Sequence, residues 1–79
     1  MTETDRLHEV IGAILDVSPE TLSDDSGRAS LDEWDSLAHL NVIGGVEEVF
    51  DVLFSSAEMR ELTTVGSLRS ALTGRGIAL

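Results

Sequence analysis

Trp34-Asp35-Ser36-Leu37-Ala38-His39-Leu40-Asn41-Val42-Ile43-Gly44-Gly45-Val46-Glu47-Glu48-Val49-Phe50-Asp51 is the stretch whose reading decides the fold. From residue 36 or 37 to 51 the pattern turns at about 100° per residue, the period of an α-helix. His39, Val42, Ile43, Val46, Val49 and Phe50 fall together and form the expected core face. Leu37, Leu40, Asn41, Gly44, Glu47, Glu48 and Asp51 fall on the opposite side, apolar beside Ser36 and acidic farther along. Such a face suits a docking partner. A solvated acidic face with two isolated leucines accounts for the same pattern. Gly44-Gly45 costs a helix about 2 kcal/mol relative to two alanines. A bend, a close approach to the backbone, or a helix held by packing alone would each explain the pair.

Upstream, residues 4 to 15 predict a first helix, with Leu7, Val10, Ile11, Ile14 and Leu15 in one apolar stripe. Thr4 is its expected N-cap, Asp5 lies in the first turn where the helix dipole favours negative charge, and His8 beside the stripe reads as half exposed. Residues 16 to 35 form a long polar connection, with a short helical turn at Ser18-Pro19-Glu20. Val17, Leu22 and Leu31 are expected to pin this connection to the helices. Asp24-Asp25-Ser26-Gly27 lacks the alternating ligands and terminal glutamate of a calcium loop and reads as a turn. Downstream, Ser55-Ser56-Ala57-Glu58 is a capping box opening a short helix through Met59 and Leu62, with Phe54 packed before it. Thr64 caps a last helix carrying Val65, Leu68, Ala71 and Leu72, which stops at Gly74-Arg75-Gly76. No strand or hairpin signal interrupts this order. The expected fold is all-α: one domain over residues 1–79, a small bundle of three main helices and one short one, with a long loop between helices 1 and 2.

Composition narrows the function. Seventy-nine residues without cysteine allow no disulfide framework, no thiolate metal site and no cysteine nucleophile. Fifteen acidic residues against five arginines give a net charge of −10, which disfavours nucleic acid and favours partners with basic surfaces. Such a charge should repel itself in the folded state, so salt or divalent cations are expected to stabilise the chain. No stretch is long and apolar enough for a membrane span, and the chain reads as a cytoplasmic monomer. Asp35, Ser36 and His39 do not make a hydrolase triad, because His39 points to the core face and the chain is too short to build a substrate pocket. Two histidines on separate helices make a weak case for a transition-metal site. Ser36, by contrast, stands at a helix N-terminus, where free amides and the dipole favour a phosphate. It could equally be an N-cap, the commoner use of a serine there.

Trp34-Asp35-Ser36-Leu37, Glu47-Glu48 leading to Phe50, and Thr64-Val65 before the last helix together resemble an acyl carrier protein over nearly the whole chain. The resemblance implies that a phosphopantetheinyl transferase attaches 4′-phosphopantetheine from coenzyme A to Ser36, with Asp35 helping to hold its magnesium. It implies that the chain is no enzyme. It implies instead a carrier that moves an acyl group as a thioester between enzymes whose basic patches meet Leu37, Leu40, Glu47, Glu48 and Asp51, with the apolar bundle interior as the expected shelter for that group. Asn41, where the family often has glutamate, together with Trp34 and Gly44, points to a discrete carrier of polyketide, peptide or related specialised metabolism rather than the housekeeping fatty-acid carrier. If Gly44 and Gly45 admit a partner or tethered group, Gly44→Ala and Gly45→Ala should load poorly while gaining stability. An aminoacyl or peptidyl carrier, or an unmodified acidic interaction module, would share much of this pattern.

Overall fold

Asp5 opens the first helix as its N-cap. Its backbone is extended and its carboxylate accepts the His8 amide at 3.0 Å. The computed structural model describes residues 5–79, so Thr4, expected as the cap, lies outside the described residues. Helices α1 (Arg6–Leu15), α2 (Ser36–Phe50), α3 (Ser56–Glu61) and α4 (Val65–Gly74) follow in order, with a 3-10 turn at Pro19–Thr21. The fold is all-α, a small bundle with no strand among the described residues, and none of its helices is long and apolar enough to cross a membrane.

The stripes read from the sequence meet in one core. Leu7, Ile11 and Leu15 of α1 pack with Val42, Ile43 and Val46 of α2, Leu68 and Leu72 of α4, and Trp34 from the loop. The capping box at Ser55 and Glu58 and the Thr64 cap of α4 are both made. Gly45 lies where α1 and α2 converge. A Cβ there would stand 2.4 Å from Ile14 Cδ1, while one on Gly44 would meet nothing within 4 Å. The glycine pair therefore divides, one member serving helix packing and the other leaving an open surface.

Val49 departs from the expected core face and is 45% exposed. Opposite it α1 presents Arg6, Glu9 and Ala13, so Val49 lines an open groove of about 520 Å³ instead of an interior. His8 departs the other way. It is buried beneath α4, and its Nε2 meets Arg69 Nη2 at 3.2 Å. Arg69 also pairs with Asp5, and with Asp24 at 3.1 Å, which ties the start of α1, the long loop and α4 together. Burial alone would raise the Asp5 carboxyl. The Arg69 hydrogen bond and charge, with the His8 amide, outweigh it and hold the group below its ordinary value. Asp5 therefore stabilises the fold above the usual aspartate range, and that contribution disappears as pH falls through its lowered value.

The long loop is not structureless. Leu22 is buried, and Val17 and Leu31 pack against the core. The carbonyls of Ser26 and Asp24 accept the Val65 and Gly66 amides, each at 2.9 Å, so the loop satisfies the first donors of α4. Gly27 forms an isolated antiparallel bridge with Thr64. A Cβ on Gly27 would lie 2.2 Å from Thr63 O, so only glycine fits this approach.

Candidate functional site at the start of α2

The start of α2 is fixed from inside. Trp34 is 1% exposed, and its indole N–H donates to His39 Nδ1 at 3.0 Å. With Nδ1 accepting, the network assigns the ring hydrogen to Nε2, which donates to Met59 O at 2.6 Å. One hydrogen-bonded string thus joins the loop, α2 and α3. It also accounts for the two buried polar groups, which would otherwise destabilise the core.

Between Trp34 and the helix, Asp35 is the N-cap. Its side chain accepts the Ala38 amide at 2.8 Å and its carbonyl accepts His39 N–H at 2.8 Å. Ser36 is therefore the first helical residue and not the cap, which removes the cap as an account of this serine. Its hydroxyl is exposed and accepts from Arg28 Nη2 at 2.8 Å. The Ser36 and Leu37 amides, the first two of the helix, take no partner among the described residues.

An anion attached at Ser36 Oγ would sit before two free amides, the positive end of a 15-residue helix and a guanidinium. The residues fit a phosphodiester there. Beside the hydroxyl lies an open cleft of about 400 Å³, walled by Arg28, His39, Leu40, Met59 and Arg60. Two of the five arginines of a chain with net charge −10 thus flank one serine. Among the described residues no three acidic or histidine side chains group as a metal site, so a magnesium ion touching Asp35 would need further ligands from elsewhere.

The expected partner face is presented along α2. Leu37 is 69% and Leu40 55% exposed, and Asn41, Gly44, Glu48 and Asp51 are exposed as well. Glu47 is only partly so, since its Oε2 accepts the Phe54 amide at 2.8 Å and fastens the turn that follows α2. Asp51 closes the helix in the left-handed region, with φ 56°. Gly44, Glu48, Asp51 and Leu53 border a second depression of about 600 Å³.

Arg28, Arg60, Met59 and Leu53 carry no site role in the sequence, where Met59 reads only as a position of the short helix. Leu53, 85% exposed, had a weak local signal as a leucine just past a helix end. The others reach the cleft only through the folding of the loop and α3, and nothing in their spacing marks them. The chain matches no protein-family model and no curated protein, so the functional reading rests on these residues and the motif they build.

Proposed function

We propose that the chain is an acyl carrier protein, modified on Ser36 with 4′-phosphopantetheine by a phosphopantetheinyl transferase. The observation that carries the reading is the division of labour at the start of α2. Asp35 does the capping, which leaves the Ser36 hydroxyl exposed, free of helix duty and 2.8 Å from a guanidinium. In the attachment, Ser36 Oγ forms a bond to the phosphorus that bears the pantetheine. The bond from that phosphorus to the bridging oxygen breaks, adenosine bisphosphate leaves, and the hydroxyl proton passes to a base of the transferase. The attached group supplies a terminal thiol, on which an acyl group travels as a thioester.

The chain's own part is presentation. Trp34 and His39 hold the turn, and Asp35 starts the helix and offers a carboxylate to the transferase magnesium. Leu37 and Leu40 with Glu48 and Asp51 face partners with basic docking patches, and electrostatic steering by the acidic surface speeds their encounter. The cytoplasm, where coenzyme A is available, is the compartment this reading implies. An aminoacyl or peptidyl cargo would use the same fold and the same arm, so the resemblance does not separate it from an acyl one.

Intact-mass measurement after incubation with coenzyme A, magnesium and a broad-specificity transferase tests the reading. Wild type should gain one phosphopantetheine, and Ser36→Ala none. Asp35→Asn keeps a competent cap, so its helix should stay intact while its loading slows. No gain in wild type, with the transferase active on a control carrier, would make an acidic interaction module the better account.

A further inference from the structure

We infer that Arg28 holds the phosphodiester of the modified protein, fixing the base of the prosthetic arm against the body of the domain. The inference rests on the carrier reading and adds to it a residue that the Asp-Ser-Leu motif does not contain.

The arginines sort by what they touch. Arg69 pairs with Asp5 and Asp24, Arg75 with Glu58 at 2.8 Å, and Arg6 stacks over the Phe50 ring at 4.9 Å. Arg28 makes no ion pair among the described residues, although fifteen carboxylates are present in the chain. Its one hydrogen bond from the side chain goes to the Ser36 hydroxyl, a neutral acceptor. A guanidinium carries five N–H donors, so four remain for a ligand at this spot.

The seat of Arg28 is also firm. Its backbone amide donates to Thr63 O at 3.0 Å, and its neighbour Gly27 is bridged to Thr64 at an approach too close for any side chain. The Arg28 backbone is thus anchored to the junction of α3 and α4, and its side chain reaches back to the start of α2. Once a phosphodiester replaces the hydroxyl, its two non-bridging oxygens come within reach of the same fork. A hydrogen bond from the guanidinium to a neutral acceptor then becomes an ion pair, charged on both sides of the contact.

Charge makes the consequence sharp. Modification adds one further negative charge to a domain already at −10, which by itself disfavours the folded state. With Arg28 in place the added charge is matched locally, so the sign of the stability change on loading depends on this residue. Arg60 lines the same cleft without touching Ser36 Oγ, and it serves as the control for charge alone.

The experiment loads wild type, Arg28→Gln, Arg28→Lys and Arg60→Gln to completion, checks each by intact mass, and compares melting temperature and phosphorus NMR before and after loading. Loading should raise the melting temperature of wild type by about 2–4 °C. Arg28→Gln should lose that rise or reverse it, and its phosphorus resonance should move and narrow. Arg28→Lys should keep part of the rise, as a point charge without the fork. Arg60→Gln should keep most of it. Equal rises and equal resonances in wild type and Arg28→Gln would overturn the role of Arg28 while leaving the carrier intact. Absence of any mass gain in wild type would overturn the carrier reading and this inference with it.

Discussion

The two ends of α2 are built on opposite plans. At the start, a buried indole and imidazole hold the chain from within, Asp35 caps, and two arginines stand outside around a free hydroxyl. At the finish, no buried polar string among the described residues reaches the core. Glu47 folds back onto the Phe54 amide, Asp51 turns the chain, and Glu48, Asp51 and Leu53 face outward. The first end positions one atom, and the second presents a surface. The comparison teaches that an acidic domain can keep one cationic spot by building it from distant segments. Arg28 from the loop and Arg60 from α3 sit where α2 itself carries no charge.

The largest effect should come from breaking the internal hold. Trp34→Ala removes a fully buried indole and leaves His39 Nδ1 without its donor, which should cost about 3–5 kcal/mol. For a domain of this size that is a large part of a total stability on the order of 5–10 kcal/mol. Trp34→Phe keeps most of the ring but not the N–H, and should cost about 1–3 kcal/mol. Urea unfolding followed by circular dichroism measures both, since the only tryptophan is lost in each. A Trp34→Phe cost below about 0.5 kcal/mol, the size of an ordinary surface change, would show that the buried string is not what fixes this end.

The midpoint of the helix gives the next effect, and here neighbours diverge. Gly44→Ala adds a methyl to open space and should gain about 1 kcal/mol from helix propensity. Gly45→Ala gains the same propensity but drives a methyl onto Ile14, so its net gain should vanish or reverse unless Ile14 changes rotamer. Equal stabilisation of the two, read from thermal melts, would mean that α1 and α2 are not held as closely at this point as their geometry shows. The sequence alone predicted a gain for both, because it could not tell which glycine faced the first helix.

That failure marks how far the sequence carries. Helix existence was legible from periodicity and caps, and α2, the Ser55–Glu58 box and the Thr64 cap lie where those signals put them. Ser36 and the exposed Leu37, Leu40, Glu48 and Asp51 were legible because they share one helix, whose wheel fixes their relative directions. Which distant element covers or meets a particular side chain was not. His8 read as half exposed because its cover, Arg69, lies 61 residues on. Val49 read as core because a wheel assumes an apolar partner all along the helix, and α1 presents Arg6, Glu9 and Ala13 there. Arg28 was invisible because only the folded loop brings it to Ser36, eight residues later.

The smallest effect tests the acidic end itself. Glu47 and Glu48 are adjacent and identical in type, yet one fastens the Phe54 amide and the other is exposed. Replacing either with glutamine removes one unit from a net charge of −10, so any relief of long-range repulsion is nearly the same in both and cancels in their difference. What remains is local. Glu47→Gln weakens a charge-assisted hydrogen bond to a neutral one and should end up about 0.5 kcal/mol less stable than Glu48→Gln. Binding to a basic partner should rank them the other way, with Glu48→Gln the weaker binder, because Glu47 is already partly committed within the chain. Paired unfolding and binding measurements on the two variants decide it. If Glu47→Gln proved as stable as Glu48→Gln and the weaker binder, the carboxylate at 47 would belong to the docking face and not to the turn.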